Sequence, residues 1–272
     1  MGKELHQTFW EIKKYKSIDF HNHIRLKNKV LDLESAKSLL NAADTLGIEK
    51  ICVSRPLTPD SPSPSDVTTV NNAVLEAMKF SERFIGFCFL NPGYIQESLK
   101  EMERCIIKGN MAGVKLYHQY LVCDPALTPV MSYAAELGVP VLMHSGKLTN
   151  PKDIKLQTRL SNSSHFIKAV KMFPNTIIVQ GHIGGGGDWE WTLRVLEDLE
   201  KNAKFYIDTS GSVIDTGIVK KTVKTLGEDR VLFATDGSMD EGVGKVLDAK
   251  LSEKQLRKIF SGNFNNILKE RR

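Results

Sequence analysis

Residues 18–24 read IDFHNHI, an apolar and β-rich run that carries two histidines, His21 and His23, at its end. Side chains at positions i and i+2 leave a strand on the same face, so both imidazoles can point at one ion. Two histidines at this spacing also occur as a hydrogen-bonded pair, so the motif alone leaves metal binding open. The residues that close the other strands of the chain decide between these possibilities.

Seven further β-rich runs follow, and helical patterns separate them. With the first run, the predicted strands lie at residues 17–20, 50–54, 84–90, 112–116, 139–143, 176–180, 204–208 and 231–234. Their starts are 27 to 37 residues apart, enough for one strand, one helix and two short loops. The pattern predicts an α/β protein: a single (β/α)8 TIM barrel over residues 1–272, rather than an open doubly wound sheet.

The last part of the chain predicts two more helices. Ser252, followed three residues later by Gln255, resembles a capping box, and it predicts a helix that runs to about residue 260. The tail 262–272, GNFNNILKERR, is typical of one more short helix. No change of composition along the chain indicates a second domain.

The composition is that of a globular protein, with 272 residues of which 41% are hydrophobic and 25% charged. The longest apolar run, 84–90, is far shorter than the ~20 residues that cross a bilayer, and the N-terminus lacks the apolar segment of a secretory signal. The 37 Lys and Arg against 32 Asp and Glu are scattered, which argues against a nucleic-acid partner. The four cysteines show no metal-binding spacing and predict inert thiols. We therefore expect a cytoplasmic protein.

Two loops invite a functional interpretation. Residues 55–66, RPLTPDSPSPSD, contain four prolines directly after the second strand, and they could form a disordered insertion or a lid over a site. The glycine run 184–187 lacks both the GxGxxG spacing and the Lys-Ser/Thr of a phosphate-binding loop. We expect these glycines to let the backbone pass close to a ligand rather than to bind a nucleotide.

Polar side chains stand at the ends of four more predicted strands: Lys115, His144, His182 and Asp236. The C-terminal ends of barrel strands converge on one mouth, where active sites are found, so residues more than 200 positions apart would share a pocket. Four of the seven histidines of the chain fall at such ends, which is improbable by accident. The sequence therefore predicts one functional site that includes the His21 and His23 pair.

Several stretches around these residues match a known family. They are RFIGFCFLNP (83–92), GVKLY (113–117), HSG (144–146), GHIGG (181–185), DTSG (208–211) and RVLFATDGS (230–238). With them the chain resembles the amidohydrolase superfamily, and in particular the branch typified by aminocarboxymuconate semialdehyde decarboxylase. The resemblance spans nearly the whole chain.

The resemblance implies a divalent ion, usually zinc, that is held by His21, His23, His144 and Asp236. It also implies that His182 orients or deprotonates a water, or donates a proton, and that Asp236 is both ligand and proton carrier. In binuclear members a carboxylated strand-four lysine bridges two ions, and the histidines of strands five and six hold the second. The chain has the groups for this arrangement in Lys115, His144 and His182, but one ion is the favoured interpretation.

The residue types agree with this chemistry on their own. Imidazoles and a carboxylate suit Zn²⁺, and three or four protein ligands with an open position are typical of a catalytic site. Zinc can lower the pKa of a bound water to about 7, and Asp236 or His182 would accept the proton. An unmodified Lys115 would meet a substrate carboxylate, Arg55 would hold an anionic group, and Tyr117 would line the mouth of the site.

The predicted function is that of a metal-dependent hydrolase that uses a metal-activated water on a small carbonyl substrate such as a lactone, amide or ester. The alternative is a metal-dependent nonoxidative decarboxylase of a small carboxylic acid, because both reactions use one polarising ion. A TatD-like deoxyribonuclease fits less well, since that family carries a glutamate where this chain has Lys115. A non-enzymatic barrel that binds a partner remains a fourth class. We expect a small, anionic substrate, and the sequence leaves the oligomeric state open.

Overall fold

Eight parallel strands follow one another in chain order around a barrel. A computed structural model describes residues 12–147, 150–157, 159–183, 188–211 and 213–271. Strands β1 to β8 are Ser17–His23, Ile48–Ser54, Phe84–Phe89, Gly113–Leu116, Val141–Met143, Ile178–Gln180, Phe205–Asp208 and Val231–Leu232. The barrel closes where Phe20 N donates to Phe233 O (2.9 Å) and Asp236 N donates to His21 O (2.7 Å). The predicted (β/α)8 barrel is therefore confirmed.

Helices alternate with the strands and cover the outside of the barrel. The helices α1 to α8 that follow the strands are Leu33–Leu46, Pro64–Phe80, Ile95–Met102, Thr128–Leu137, Ser163–Met172, Trp189–Leu196, Ile218–Leu226 and Met239–Asp248. Shorter elements are the hairpin Leu26–Lys27 and Val30–Leu31, the helix Pro151–Leu156, the 3₁₀ turns Lys13–Tyr15, Pro125–Leu127 and Glu228–Arg230, and the π-helical turns Glu103–Lys108 and Lys258–Gly262. In the described parts of the chain, no helix is long and apolar enough to cross a membrane.

The chain ends with helices α9, Glu253–Arg257, and α10, Asn263–Lys269. Ser252 caps α9 in the predicted capping box. Its side chain accepts from the backbone N–H of Gln255, and the Gln255 side chain accepts from the backbone N–H of Ser252. Between the two helices the backbone passes through a π-helical turn. Helix α10 then fills the bottom of the barrel, where the Phe264 ring meets the Phe20 ring edge to face with centroids 5.0 Å apart.

Alternate residues of each strand face the barrel interior. The interior is apolar towards the N-terminal ends of the strands and polar at their C-terminal ends. Leu142 of β5 lies in the interior core, and two positions later His144 lies at the mouth. On β7, Tyr206 packs against the same core and Asp208 follows it. Because inward-facing residues recur at every second position, these polar side chains lie directly above the apolar core, at the C-terminal end of the barrel.

The strand bounds differ from the predicted ones by up to three residues. β1 continues to His23, three residues beyond the predicted end at 20, so both histidines lie on the strand. β5 begins at Val141 instead of 139, because Pro140 has no amide N–H to donate to a neighbouring strand. Gly113 of β4 is required by packing, since a Cβ there would lie 2.5 Å from the Phe87 ring.

The proline-rich segment, residues 55–66, is ordered and hydrogen-bonded to the barrel. Its last residues already belong to α2, whose N-cap Ser63 forms a capping box with Asp66. Before the helix, Asn91 Nδ2 donates to Pro62 O (2.8 Å), and Gln119 Nε2 donates to Leu57 O (2.8 Å) and Pro59 O (3.0 Å). The structure thus differs from a disordered insertion, and the function of the segment as a lid stays a prediction.

Three further predictions from the sequence concern the cysteines, the glycine run and the N-terminus. Cys52, Cys88 and Cys105 are buried, and burial raises the pKa of the Cys52 and Cys88 thiols, in keeping with inert side chains. The glycine run 184–187 lies outside the described residues, as does the N-terminal stretch 1–11.

Candidate metal centre

His21, His23 and Asp236 bring three ligand atoms together at the mouth of the barrel. Asp236 Oδ1 lies 3.0 Å from His23 Nε2 and 3.8 Å from His21 Nε2. The three ligand atoms all lie within 4.8 Å of one another. Two ligands of one tetrahedral zinc ion, each about 2 Å from it, are about 3.3 Å apart, which matches this spacing. The donor set and its geometry therefore fit a divalent ion.

The Asp236 side chain reaches this cluster because the chain turns sharply after β8. Asp236 and Gly237 have positive φ angles of 51° and 92°, and Asp236 N is bonded to His21 O on the neighbouring strand. Burial disfavours the charged carboxylate, but the hydrogen bond from His23 and the neighbouring His21 and His182 rings lower the pKa of Asp236 well below its usual value. The carboxylate is thus ionised and ready to bind a cation.

Lys115 lies beside the same cluster at the end of β4. Its side chain is fully buried, and Nζ lies 2.6 Å from His21 Nε2, the nitrogen that faces Asp236. Burial lowers the pKa of Lys115 from 10.5 to about 8, although Asp236 and Asp208 favour its charged form. Among the described residues, no carboxylate oxygen lies within ion-pair distance of Nζ. The ammonium group is therefore a buried cation without a directly bonded anion.

His144 and His182 form a pair next to the three-ligand cluster. His144 Nδ1 lies 2.8 Å from His182 Nε2, and the His182 ring stacks on the His21 ring with centroids 4.9 Å apart. Burial lowers the pKa of His182 to about 4 and that of His144 well below its ordinary value. Both rings are thus neutral at pH 7. His144 points at His182 in this structure and does not join the three ligand atoms of His21, His23 and Asp236.

Asp208 was missed by the reasoning from sequence, and it lies at the centre of the site. Its buried carboxylate at the end of β7 accepts from His21 Nδ1 through Oδ2 (2.8 Å), and its Oδ1 accepts from Ser210 Oγ (2.6 Å). Burial disfavours the charged form, but the His21 ring and the hydrogen bonds from His21 and Ser210 lower the pKa of Asp208. Its position as the last residue of a predicted strand was the signal that could have identified it.

Asp19 is a second buried carboxyl group below the cluster. It accepts hydrogen bonds from Thr235 Oγ1 (2.6 Å), Thr235 N (2.9 Å), Asn22 Nδ2 (2.8 Å) and His21 N (3.2 Å). Burial raises the pKa of Asp19 to about 7. These bonds fix the histidine-bearing end of β1 against the turn that carries Asp236.

The remaining predicted residues lie around the mouth. The Tyr117 ring is half-buried, with its centroid 4.4 Å from that of His144. Burial raises the pKa of Tyr117, and Arg55 opposes this shift. Arg55 is half-buried and directly follows Ser54, whose Oγ lies 3.2 Å from His23 Nδ1. His118, next to Tyr117, is buried under the proline-rich segment and lies 3.8 Å from Asp60.

Comparisons with known proteins agree with this architecture. A family model described as amidohydrolase matches residues 63–263, which include Lys115, His144, His182 and Asp236. The 2-amino-3-carboxymuconate-6-semialdehyde decarboxylase of Dictyostelium discoideum is 25% identical over 219 residues, or 67% of this chain. The chain spans 60% of the length of that relative.

Two solved structures show the same fold. A 2,6-dihydroxybenzoate decarboxylase from Rhizobium superposes with a TM-score of 0.73 at 16% identity, over 93% of this chain and 98% of that one. A dihydroxybenzoic acid decarboxylase from Polaromonas sp. JS666, with bound manganese and the inhibitor 2-nitroresorcinol, superposes with a TM-score of 0.70 at 18% identity. That match covers 93% of this chain and 96% of the other.

Proposed function

Because the chain belongs to the amidohydrolase family, we propose that it is a divalent-metal-dependent, nonoxidative decarboxylase of a small, anionic carboxylic acid. This is the alternative that the sequence placed second to hydrolysis. The curated relative, which is named a decarboxylase, supports it, and so does one observation in the site. That observation is the buried ammonium of Lys115 beside the His21, His23 and Asp236 cluster.

The Lys115 cation favours an anionic substrate for electrostatic reasons. A buried charge is costly unless it is paired, and among the described residues no carboxylate oxygen pairs with Nζ. A substrate carboxylate would supply the missing partner. Arg55, at the rim and with a planar guanidinium that binds carboxylates through two hydrogen bonds, would hold a second anionic group.

We assign the metal to His21, His23 and Asp236, with His144 as a further ligand if its ring turns away from His182. A bound divalent ion would supply Lewis-acid stabilisation of negative charge on substrate oxygens. We propose a single zinc ion, because two imidazoles and a carboxylate suit zinc and Lys115 serves as a substrate-binding cation. The manganese in the Polaromonas enzyme makes Mn²⁺ the other ion to test.

The proton balance of the reaction assigns a role to His182. Loss of CO₂ breaks a C–C bond, leaves its electron pair on the substrate carbon, and requires one proton there. A neutral His182, with a pKa of about 4, can accept a proton from an acidic group of the bound substrate and return it to carbon. Tyr117 packs beside His144 and would form an apolar wall that keeps water from the reacting carbon.

The test is product analysis with the full chain, stripped by a chelator and reloaded with Zn²⁺ or Mn²⁺. We would incubate it with hydroxybenzoic acids and unsaturated dicarboxylic acids, and in parallel with lactones, amides and esters of similar size. We expect CO₂ release, a product lighter by one CO₂, and one deuterium on carbon in D₂O. Products heavier by one water, formed without CO₂, would establish hydrolysis and overturn the proposal.

A further inference from the structure

Asp208 makes a set of hydrogen bonds that reaches three histidines of the site. Its Oδ2 contacts His21 Nδ1 (2.8 Å), and its Oδ1 accepts from His182 N (2.9 Å), Ser210 N (3.0 Å) and Ser210 Oγ (2.6 Å). Ser210 Oγ in turn lies 2.8 Å from His182 Nδ1, and His182 Nε2 lies 2.8 Å from His144 Nδ1. The carboxylate and the Ser210 hydroxyl are almost completely buried, so no solvent competes for these bonds.

The direction of each bond follows from the donors that converge on Asp208. Two backbone N–H groups already point at Oδ1, and the carboxylate oxygens serve as acceptors. His21 therefore carries its ring proton on Nδ1, and the Ser210 hydroxyl proton points at Oδ1. The oxygen of Ser210 can then only accept from His182, which places the ring proton of His182 on Nδ1.

The same reasoning extends one residue further. With its proton on Nδ1, neutral His182 presents a bare Nε2, so His144 must donate from its own Nδ1 across the 2.8 Å contact. Neutral His144 is then bare at Nε2, which requires the Gln157 amide, 3.3 Å from this nitrogen, to present its NH2 group rather than its oxygen to the ring. One carboxylate thus determines that the Nε2 atoms of all three rings carry lone pairs.

We propose that Asp208, acting through Ser210, is a positioning residue that sets the tautomers of His21, His182 and His144. Directly, it leaves the lone pair of His21 on Nε2, where it faces Lys115 Nζ at 2.6 Å and can bind a metal ion. Through the Ser210 hydroxyl, it leaves the lone pair of His182 on Nε2, the atom that accepts from His144 Nδ1 in this structure and that can accept a substrate proton once the His144 ring turns away. The catalytic consequence rests on the proposed function, whereas the tautomers themselves do not depend on which reaction the site performs.

A purely structural role for Asp208 would not require hydrogen bonds that reach the histidine rings. Asp19 is an equally buried carboxyl group that accepts four hydrogen bonds, yet its bonds go to two backbone N–H groups and to the side chains of Asn22 and Thr235. It thus fastens two strands without touching an imidazole. Asp208 instead directs one oxygen to a ring nitrogen and the other to a hydroxyl that touches a second ring.

The experiment is two-bond ¹H–¹⁵N correlation NMR on the metal-free full chain, labelled with ¹⁵N-histidine, near pH 7.5. The ring ¹⁵N shifts distinguish an Nδ1–H from an Nε2–H tautomer, and single His→Gln variants assign the signals. We expect Nδ1–H for His21, His182 and His144. In Ser210→Ala, His182 and His144 should shift toward Nε2–H or a mixture, while His21 keeps its tautomer through the direct bond to Asp208.

Thr209→Val is the matched control, because it also removes one buried hydroxyl from the same loop. Thr209 Oγ1 bonds only to the backbone of Ala234 in the described structure, so the variant should lose stability without changing any histidine tautomer. Asp208→Asn should also affect His21 and weaken Zn²⁺ binding, measured by competition with a chelator, about 10- to 100-fold. Ser210→Ala keeps the test valid if Asp208→Asn does not fold.

Two results would overturn the inference: a wild-type His182 with its proton on Nε2, or an unchanged His182 spectrum in Ser210→Ala. Failure of the proposed decarboxylation would instead appear as an absence of CO₂ release from a protein whose tautomers are as described. The two failures are therefore distinguishable.

Discussion

Replacement of Lys115 by methionine should stabilise the metal-free protein while it removes activity. The Lys115 side chain is fully buried, and burial lowers its pKa from 10.5 to about 8. At about 1.4 kcal/mol per pH unit, keeping this lysine charged at pH 7 costs roughly 3 kcal/mol of folding free energy. Methionine has a similar volume and carries no charge, so it removes this cost.

The substitution also has a cost of its own. It leaves His21 Nε2 without its donor at 2.6 Å, and an unpaired buried acceptor costs about 1–3 kcal/mol. The expected net effect at pH 7 is therefore a stabilisation of about 1 kcal/mol, with a range from zero to about 2 kcal/mol. Urea denaturation in the presence of EDTA measures it directly.

The pH dependence gives a sharper test than the value at pH 7. The folded-state pKa of Lys115 lies below the unfolded value, so the folded protein binds fewer protons between pH 8 and pH 10.5. The stability of the wild type should therefore rise over this interval relative to that of Lys115→Met. The wild-type advantage gained there should approach the roughly 3 kcal/mol derived from the shift.

Lys245 provides the matched control, because it is a second buried lysine with different partners. Its Nζ donates to Gly211 O (2.7 Å) and pairs with Glu241 Oε1 (3.3 Å). Lys245→Met leaves both groups without their cation and should destabilise the protein at pH 7. If Lys115→Met destabilises to the same extent and the difference from wild type does not change between pH 8 and pH 10, the buried, unpaired cation is refuted.

Three further predictions concern the metal cluster, the buried carboxyl group below it and the proline-rich segment. The double variant His21→Ala with His23→Ala should lose the metal, as measured by elemental analysis. Asp236→Asn should lower turnover by at least about 10³-fold, while circular dichroism shows that the fold is retained. Full metal content in the double variant, or full activity of Asp236→Asn, would contradict the assignments. Folding raises the pKa of Asp19 to about 7, so between about pH 4 and pH 7 the folded protein holds a proton that the unfolded chain has lost. The stability of the wild type should therefore fall as the pH rises over this interval. Urea titrations of Asp19→Asn should lack this fall. Gln119→Ala removes two hydrogen bonds to the proline-rich segment. The variant should be cleaved faster by a protease in this segment, and its KM should rise more than its kcat falls. Equal cleavage rates in the variant and the wild type would show that other contacts hold the segment.

The fold could be predicted because barrel units repeat with a regular spacing. All eight strands were identified from β-rich runs, and the site residues followed from their places at strand ends, since the topology alone brings those ends together. The position of Asp236 beside His21 and His23 required no knowledge of side-chain conformation. The bounds of β5 were less accurate, because the missing N–H of a single residue, Pro140, decides where pairing starts.

The contacts within the site could not be predicted in the same way. Whether a ring faces a metal or another ring depends on torsion angles that the sequence does not encode locally, as His144 shows by pointing at His182. The role of Asp208 depends on a contact with His21, 187 positions away in the chain. Strand-end placement identifies which residues share the mouth, whereas packing determines which pairs of them form bonds.

The charges of the site explain why an anionic substrate and a divalent ion belong together. With neutral histidines, and with Asp19 protonated below its pKa of about 7, Lys115 contributes +1 and Asp208 and Asp236 contribute −1 each, so +1 − 1 − 1 leaves −1. A divalent ion changes this to +1, and a monoanionic carboxylate then brings the pocket to zero. In a buried pocket only the neutral combination avoids an uncompensated charge. The proton returned to carbon comes from the substrate itself, so the product keeps one negative charge until it takes up a proton from water. Once the product is neutral and CO₂ has left, the pocket carries +1, which weakens product binding relative to the next anion. A dianionic substrate would need the rim cation of Arg55, so Arg55→Met should raise KM for dianions far more than for monoanions; equal effects on both would refute this charge balance.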